Sequence, residues 1–180
     1  MTPGAGEALD LLVRDVPDFP KPGVLFKDIT PLLADPVAFR AVVADLARAG
    51  RDGSGAVVVD KVVGMEARGF IFGAPVALDL DRGFVPVRKP GKLPRETRSV
   101  SYDLEYGSET LEVHSDAIVP GERVLVVDDV LATGGTARAT VELVEAAGGI
   151  VHGLVVVLEL SFLAGRESVG DVATTALRTL

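Results

Sequence analysis

Cysteine and tryptophan are both absent from the 180-residue chain. Without cysteine the chain can form neither a disulfide nor a thiolate site, which fits a reducing compartment. Long hydrophobic runs are absent as well, because Glu159 interrupts the longest apolar stretch, residues 154–163. A transmembrane helix needs roughly 18 consecutive apolar residues, so none is predicted. The first ten residues, MTPGAGEALD, lack the basic segment and apolar core of a signal peptide, which predicts a soluble, cytoplasmic protein.

Positive charge is also scarce, with 18 Lys and Arg against 26 Asp and Glu, a net charge of −8 and a pI of about 4.8. This balance disfavours binding to nucleic acid or to an anionic membrane. The chain is 48% hydrophobic, enough for one α/β domain with a core. No internal repeat and no long linker divides it, so residues 1–180 are interpreted as a single domain.

Residues 124–136, VLVVDDVLATGGT, combine three features of a ligand site. The apolar run 124–127 predicts a buried parallel strand that ends at Asp128 and Asp129. A Thr-Gly-Gly-Thr turn follows, and then a helical pattern over residues 136–147. Such a junction is where α/β sheets bind ligands, and free N–H groups at the helix start suit a phosphate. The two carboxylates suit neutral hydroxyls or a metal-bound water, so the segment predicts a site for a ribose 5-phosphate.

The rest of the chain alternates helix and strand patterns. A two-stranded hairpin is predicted over residues 100–114, turning at Gly107-Ser108, and we expect it to be a lid. The alternation predicts an open, mainly parallel sheet flanked by helices. The predicted helices are 7–13, one that starts at Pro36 after an N-cap at Asp35 and is closed by Gly50, and a buried helix at 70–80. The predicted strands are the later half of 57–65, 84–87 and 150–158.

Six cations, against the single acid Glu96, lie between Arg82 and Arg98. Three of them, Arg88, Lys89 and Lys92, follow the end of a predicted strand and would attract a polyanion. From the residues alone, a solvated charged face remains the alternative. Of the two histidines, His152 is expected to be structural and His114 to be exposed. Neither a P-loop nor a G-x-G-x-x-G fingerprint occurs, and no cluster has metal-ligand spacing.

Several segments together resemble the type I phosphoribosyltransferases, enzymes that use phosphoribosyl pyrophosphate. The resemblance covers about residues 15–167 and rests on DFPKPGVLFKDITPLL (18–33), GMEARGF (64–70), RKPGKLP (88–94), SYDLEYG (101–107), VLVVDDVLATGGT (124–136) and ELSFLAGRE (159–167). It implies that fold, with an N-terminal hood over the base and a hairpin lid. It also implies a cis peptide bond between Glu66 and Ala67.

The resemblance also implies a role for each matching residue. Glu105 would be catalytic, handling a proton on the base, and Tyr106 would close over the site. The residues expected to bind substrate are Leu25, Phe26 and Lys27 at the base, Glu66, Ala67, Arg68, Arg88, Lys89 and Lys92 at the pyrophosphate, and Asp128, Asp129, Ala132, Thr133, Gly134, Gly135 and Thr136 at the ribose phosphate.

The resemblance is strongest to the branch of the family that uses adenine. It implies transfer of the 5-phosphoribosyl group to adenine, giving AMP and pyrophosphate, as a purine-salvage step. Magnesium would be bound mainly through substrate oxygens, and the protein would be a homodimer. Two alternatives stay open: transfer to another purine base, and a non-catalytic regulator that senses phosphoribosyl pyrophosphate. The acidic charge, and the roughly 15 residues that precede the matching region, argue against the DNA-binding domain of such regulators.

Overall fold

The computed structural model describes residues 4–103 and 108–180. Within these ranges the chain contains six α-helices and nine strands, numbered separately in chain order. The helices are α1 (Ala5–Leu12), α2 (Thr30–Ala34), α3 (Pro36–Ala47), α4 (Gly69–Asp79), α5 (Gly135–Ala146) and α6 (Gly165–Val169). The strands are β1 (Arg14–Pro17), β2 (Leu25–Asp28), β3 (Lys61–Met65), β4 (Gly83–Val87), β5 (Thr97–Asp103), β6 (Ser108–His114), β7 (Arg123–Leu131), β8 (Ile150–Glu159) and β9 (Thr174–Thr179).

Five strands form a parallel sheet in the order β4-β3-β7-β8-β9. The central strand β7 is buried on both faces: Leu125 and Val127 join one hydrophobic cluster, whereas Val124 and Val126 join the other. A fully buried parallel strand has an unbroken apolar run, which explains the sequence of β7. The two antiparallel hairpins, β1-β2 and β5-β6, lie outside this sheet. Helices α1, α3 and α4 supply one cluster, and α5 supplies the other together with the hairpin β5-β6.

Most of the predicted elements are present, and their local signals explain them. The Asp35 side chain accepts hydrogen bonds from the N–H groups of Val37 and Ala38, both at 2.9 Å, and so caps α3. Leu111 and Val113 alternate with polar residues along β6, and both are buried as the period predicts.

Several expectations were wrong. The strand β7 does not stop at the two aspartates but continues to Leu131, because Val130 and Leu131 still pair with β8. The turn expected at Gly107-Ser108 does not include Ser108, which belongs to β6 and pairs with Asp103. Helix α4 is not buried all round, since Ile71 is 40% exposed and Leu78 is 81% exposed.

Five elements were not predicted, namely β1, β2, α2, α6 and β9. Segment 25–28 was expected to have weak regular structure, but it forms β2 by pairing with β1. The last twelve residues gave no clear pattern, yet they contribute β9 to the sheet edge. The short helix α6 lies in the chain between β8 and β9. None of the helices in residues 4–103 and 108–180 is long and apolar enough to cross a membrane.

Candidate active site

Two neighbouring carboxylates lie near the carboxyl end of the central strand. Asp129 is 4% exposed and Asp128 is partly buried. The Asp129 N–H donates to Asp128 Oδ1 at 2.9 Å. Helix α4 begins against this pair, since a Cβ on Gly69 would lie 2.7 Å from Asp128 Oδ1. Only glycine allows this approach, so Asp128 is enclosed by the start of α4.

This enclosure changes the proton affinity of both carboxylates. Burial, and then the negative charge of Asp129, raises the pKa of Asp128 well above its ordinary value. Burial also raises the pKa of Asp129, which the Arg68 guanidinium partly offsets. A polar or cationic ligand would therefore lower the free energy of the ionised pair.

The segment that follows β7 forms a pocket of about 80 Å³. Gly134 has φ of 86°, a left-handed conformation that glycine adopts without strain, and α5 begins at the next residue. The N-terminal N–H groups of α5 and its dipole favour an anion there. The residues lining this pocket include six of the predicted ligand-binding residues: Asp128, Ala132, Thr133, Gly134, Gly135 and Thr136.

Residues from the C-terminal part of the chain pack against the turn that lines this pocket. The Ser168 Oγ donates to the Thr133 carbonyl at 2.7 Å, and a Cβ on Gly134 would collide with the Gly165 carbonyl. Glu159, only 5% exposed, accepts two bonds from Arg166, with Nε at 2.6 Å and Nη2 at 2.8 Å. The sequence resemblance included this segment, but it gave no role for it.

Arg68 contacts two predicted parts of the site. Its Nε lies 2.7 Å from Asp129 Oδ2, in an ion pair whose angle is not that of a hydrogen bond. Its guanidinium lies 5.3 Å from the centre of the Phe26 ring. Arg68 therefore connects the hood to the acidic pair, whereas the resemblance implied a contact with pyrophosphate.

The basic segment is less positive than the sequence predicts, because acids from other parts of the chain pair with it. Arg88 bonds to Glu66 through Nε at 3.2 Å, and Glu66 also accepts the Lys89 N–H at 2.9 Å. That N–H bond, and then Arg88, hold the pKa of Glu66 below its ordinary value. The Lys92 carbonyl accepts from Arg88 at 3.3 Å, and the exposed Lys92 side chain lies at the edge of this group. Glu66, Arg88, Lys89 and Lys92 are thus one cluster, and the Glu66–Ala67 peptide bond beside it is cis.

The hood residues do not all face the pocket. Lys27 pairs with Asp15 at 2.6 Å and lines another cavity, of about 220 Å³, with Arg178. A role for the Lys27 side chain at the base is not supported by this geometry. Leu25 is 49% exposed, and Phe26 packs edge-on against Phe19 at 5.0 Å. The predicted catalytic Glu105 and its neighbour Tyr106 lie outside the described residues.

Tyr102 lies at the site, although the sequence pattern predicts only that it is on the apolar face of a strand. Its hydroxyl donates to Glu109 Oε2 at 2.8 Å and lies 3.1 Å from Thr136 Oγ1. Burial raises the pKa of Tyr102, so its hydroxyl keeps its proton at neutral pH. The only earlier signal was its position on the inner face of the hairpin.

The two histidines lie away from this pocket. His152 bonds to Arg123 through Nδ1 at 2.8 Å, as expected of a structural residue. His114, expected to be exposed, is partly buried, and its Nδ1 has no hydrogen-bond partner among the described residues.

The residues at the pocket fit magnesium only as part of a substrate complex. In the part of the chain that the structure describes, no three carboxylates or histidines form a metal cluster. The adjacent carboxylates Asp128 and Asp129 could contact metal-bound water. Magnesium keeps several waters and is commonly held by one or two carboxylates together with substrate phosphates. The donor set here matches that pattern.

Comparison with known proteins gives one consistent result. The family model described as a phosphoribosyl transferase domain matches residues 34–176. An adenine phosphoribosyltransferase from Nocardioides sp. is 67% identical over 178 residues, covering 99% of this chain and 96% of that protein. The adenine phosphoribosyltransferase from Thermobifida fusca is 57% identical over the full length of both chains.

Solved structures agree with these relatives. The adenine phosphoribosyltransferase from Thermoanaerobacter pseudethanolicus has a TM-score of 0.91 and 49% identity, with 97% of this chain and 99% of that chain covered. The enzyme from Saccharomyces cerevisiae, crystallised with an imino-altritol bisphosphate and adenine, has a TM-score of 0.91 and 39% identity. It covers 96% of this chain and 98% of its own.

Proposed function

The chain belongs to the phosphoribosyltransferases, and within them to the adenine phosphoribosyltransferases, and from this premise we propose that it transfers the 5-phosphoribosyl group from phosphoribosyl pyrophosphate to adenine. The products are AMP and pyrophosphate. The observation that carries the proposal is the 57% identity to an adenine phosphoribosyltransferase over the full length of both chains. The pocket at the end of β7 supports it, because Asp128 and the turn at residues 132–136, here called the phosphate-type turn, both line it and suit the two ends of a ribose 5-phosphate.

The chemistry exchanges one bond at the sugar C1. The bond from C1 to the pyrophosphate oxygen breaks with its electrons going to pyrophosphate, and a bond to adenine N9 forms. The N9 proton is lost, and positive charge develops at C1 during the exchange. Catalysis then depends on neutralising the leaving group and on orienting the base.

Each group of residues has one part in this proposal. Asp128 and Asp129 accept hydrogen bonds from the ribose hydroxyls, and residues 132–136 bind the 5′-phosphate. Arg68 and the Glu66–Lys92 cluster face the pyrophosphate, where Arg88, Lys89 and Lys92 supply the positive charge. Phe26 and Leu25 cover the base, and a backbone contact at Lys27 needs no side chain.

Glu105 is proposed to handle the proton on the base, and Tyr106 to cover it. A positioned acid or base of this kind typically contributes about 10²–10⁴ in rate. Magnesium, when bound, supplies charge neutralisation at the substrate oxygens, and the acidic pair is the protein group suited to hold its water. Magnesium is part of the proposal because the negative charge of the pyrophosphate must be neutralised as it leaves.

The homodimer is also a proposal. It is supported by the family and by the exposed apolar side chains of Ile71 and Leu78 on α4. Sedimentation equilibrium tests it, with one species of twice the 18.8 kDa chain mass expected. A cytoplasmic location is proposed on the same family grounds, and cell fractionation tests it.

The decisive experiment measures pyrophosphate release from phosphoribosyl pyrophosphate with adenine, hypoxanthine or guanine, each with magnesium. We expect release with adenine and at most trace release with the other two. Preferential pyrophosphate release with hypoxanthine or guanine would show that this base, and not adenine, is the acceptor. Binding of phosphoribosyl pyrophosphate without release with any base would instead indicate a non-catalytic sensor.

A further inference from the structure

Tyr102 on the hairpin β5-β6 contacts the turn that precedes α5. Its ring lies over the start of α5, where a Cβ on Gly135 would be 3.1 Å from two ring carbons. Its hydroxyl stands between Glu109, directly opposite in the hairpin register, and Thr136. On the other side, Glu109 Oε1 lies 3.4 Å from Lys89 Nζ. Four polar groups thus form one chain from the turn to the basic segment.

The direction of each hydrogen bond in this chain follows from the donors available. An ionised carboxylate only accepts, so the single hydroxyl proton of Tyr102 is donated to Glu109. The 3.1 Å contact with Thr136 must then use the threonine proton, donated to the tyrosine oxygen. The Thr136 hydroxyl has one proton and cannot donate it to Tyr102 and to a phosphate at once.

On this basis we propose that Tyr102 is a positioning residue that competes with the 5′-phosphate for the Thr136 hydroxyl and thereby weakens the binding of phosphorylated ribose. The inference rests on the proposed function, because it takes the turn to be the 5′-phosphate site. When the phosphate accepts the Thr136 proton, one internal hydrogen bond of the protein is lost. Either the Tyr102 oxygen no longer accepts a hydrogen bond from Thr136, or the Tyr102 hydroxyl donates to Thr136 and its hydrogen bond to Glu109 is lost.

The consequence for catalysis is moderation of affinity. The 5′-phosphate does not react and is present in both substrate and nucleotide product. Tighter binding of such a group stabilises ground state and transition state alike, and gains no turnover at saturating substrate. Competition by Tyr102 weakens the binding of this unreacting group and so allows the nucleotide product to leave.

The first test is Tyr102→Phe, which keeps the ring over Gly135 and removes only the hydroxyl. Because an internal hydrogen bond is no longer broken on binding, ribose 5-phosphate and AMP should each bind about 2- to 10-fold more tightly by calorimetry. Adenine carries no phosphate, so its affinity should not change. A merely structural role would give the opposite sign, with weaker binding of the phosphorylated ligands.

Two further variants isolate the Thr136 hydroxyl. Thr136→Val should weaken ribose 5-phosphate binding roughly 10-fold or more, because it removes a donor to a charged group. In that background Tyr102→Phe should have no effect, since the shared proton is gone. The matched control is Ser101→Ala, which removes a 2.8 Å hydroxyl contact with Thr110 on the exposed face of the same hairpin. It should leave every affinity unchanged.

A spectroscopic readout follows from the composition, since the chain has two tyrosines and no tryptophan. In a Tyr106→Phe variant, tyrosine fluorescence comes from Tyr102 alone. We expect ribose 5-phosphate to change this emission with the midpoint found by calorimetry, and inorganic phosphate to do so at higher concentration. Binding that leaves the emission constant, together with unchanged or weaker affinity in Tyr102→Phe, would overturn this inference alone. No binding of ribose 5-phosphate to the wild-type protein would overturn the proposed function as well.

Discussion

Arg68 and Asp129 form an ion pair across the carboxyl edge of the sheet, with 2.7 Å between Nε and Oδ2. The Asp129 side chain is almost fully buried, whereas Arg68 keeps 42% of its side chain exposed. A buried carboxylate needs a partner, and here that partner also contacts the hood at Phe26. The pair therefore links the acidic site to the segment that would cover the base.

Replacing Arg68 should change the pH dependence of substrate binding. Its guanidinium lowers the pKa of Asp129, so Arg68→Gln should raise that pKa. If the ionised acid holds the ribose, the KM for phosphoribosyl pyrophosphate should rise roughly 10-fold, and its increase on acidification should begin at higher pH. Steady-state kinetics from pH 5 to 9 measures both. Arg138→Gln removes an exposed pair with Glu142 and is the control; an unshifted profile in Arg68→Gln would contradict the prediction.

The acidic pair itself is tested by Asp128→Asn combined with Asp129→Asn. Two carboxylate–hydroxyl bonds would be weakened, and we expect the affinity for phosphoribosyl pyrophosphate to fall roughly 100-fold. Calorimetry with magnesium present measures it, and the exposed Asp171→Asn is the control. Wild-type affinity in the double variant would remove both acids from the ribose site.

Asp128 should lower stability at neutral pH, in contrast to its proposed role in binding. Its folded pKa is raised well above the value near 3.9 expected in the unfolded chain, so the folded protein binds more protons across that window. The free energy of unfolding therefore falls as pH rises through the window. Asp128→Asn keeps an oxygen for the Asp129 N–H and removes the charge.

The single variant should accordingly be more stable than the wild type at pH 7.5. Thermal melts should show an increase in Tm of about 2–4 °C for each kcal/mol of repulsion relieved. The difference should shrink as pH falls toward 3.9. A lower Tm at pH 7.5 would mean that burial does not penalise this charge.

Glu105 carries the catalytic prediction that sequence resemblance supplies. Glu105→Gln keeps the shape of the side chain and removes its capacity to exchange a proton. Turnover should fall by at least roughly 100-fold, while ribose 5-phosphate binding is retained. The exposed Glu145→Gln on α5 should leave turnover unchanged. Unchanged turnover in Glu105→Gln would exclude the residue from the mechanism.

Local signals explain which parts of this molecule could be predicted from sequence. The Asp35 cap and the apolar run before Asp128 are determined by neighbouring residues, so α3 and the start of β7 were predicted from their own segments. The pairing of β1 with β2 depends on two segments that meet only in the folded chain. The Tyr102–Thr136 contact spans 34 residues and two elements, and no periodicity in either segment indicates it.

The pairing of the basic segment was missed for the same reason. Its cations have few acids beside them in sequence, but Glu66 approaches from the turn after β3 and Glu109 from β6. Charge counted along the chain therefore overestimates the positive potential. The position of Lys27 against Asp15 likewise follows from the β1-β2 register, in which the two residues are partners.

Arg166 should stabilise the protein through the nearly buried Glu159, whose pKa it lowers. Because Arg166 keeps 47% of its side chain exposed, we expect Arg166→Met to cost only about 1–2 kcal/mol of unfolding free energy.

A lowered folded pKa of Glu159 gives stability above the unfolded value near 4.3 that is lost as pH falls, so the free energies of unfolding of wild type and Arg166→Met should converge on acidification. Urea denaturation at pH 7.5 and 3.5 measures this, and Arg166→Lys should lie between them because it keeps the charge without the fork. The segment also braces the phosphate-type turn through Ser168, so the KM for phosphoribosyl pyrophosphate should rise in Arg166→Met. A stability difference that is independent of pH would show that packing, and not the ion pair, is lost.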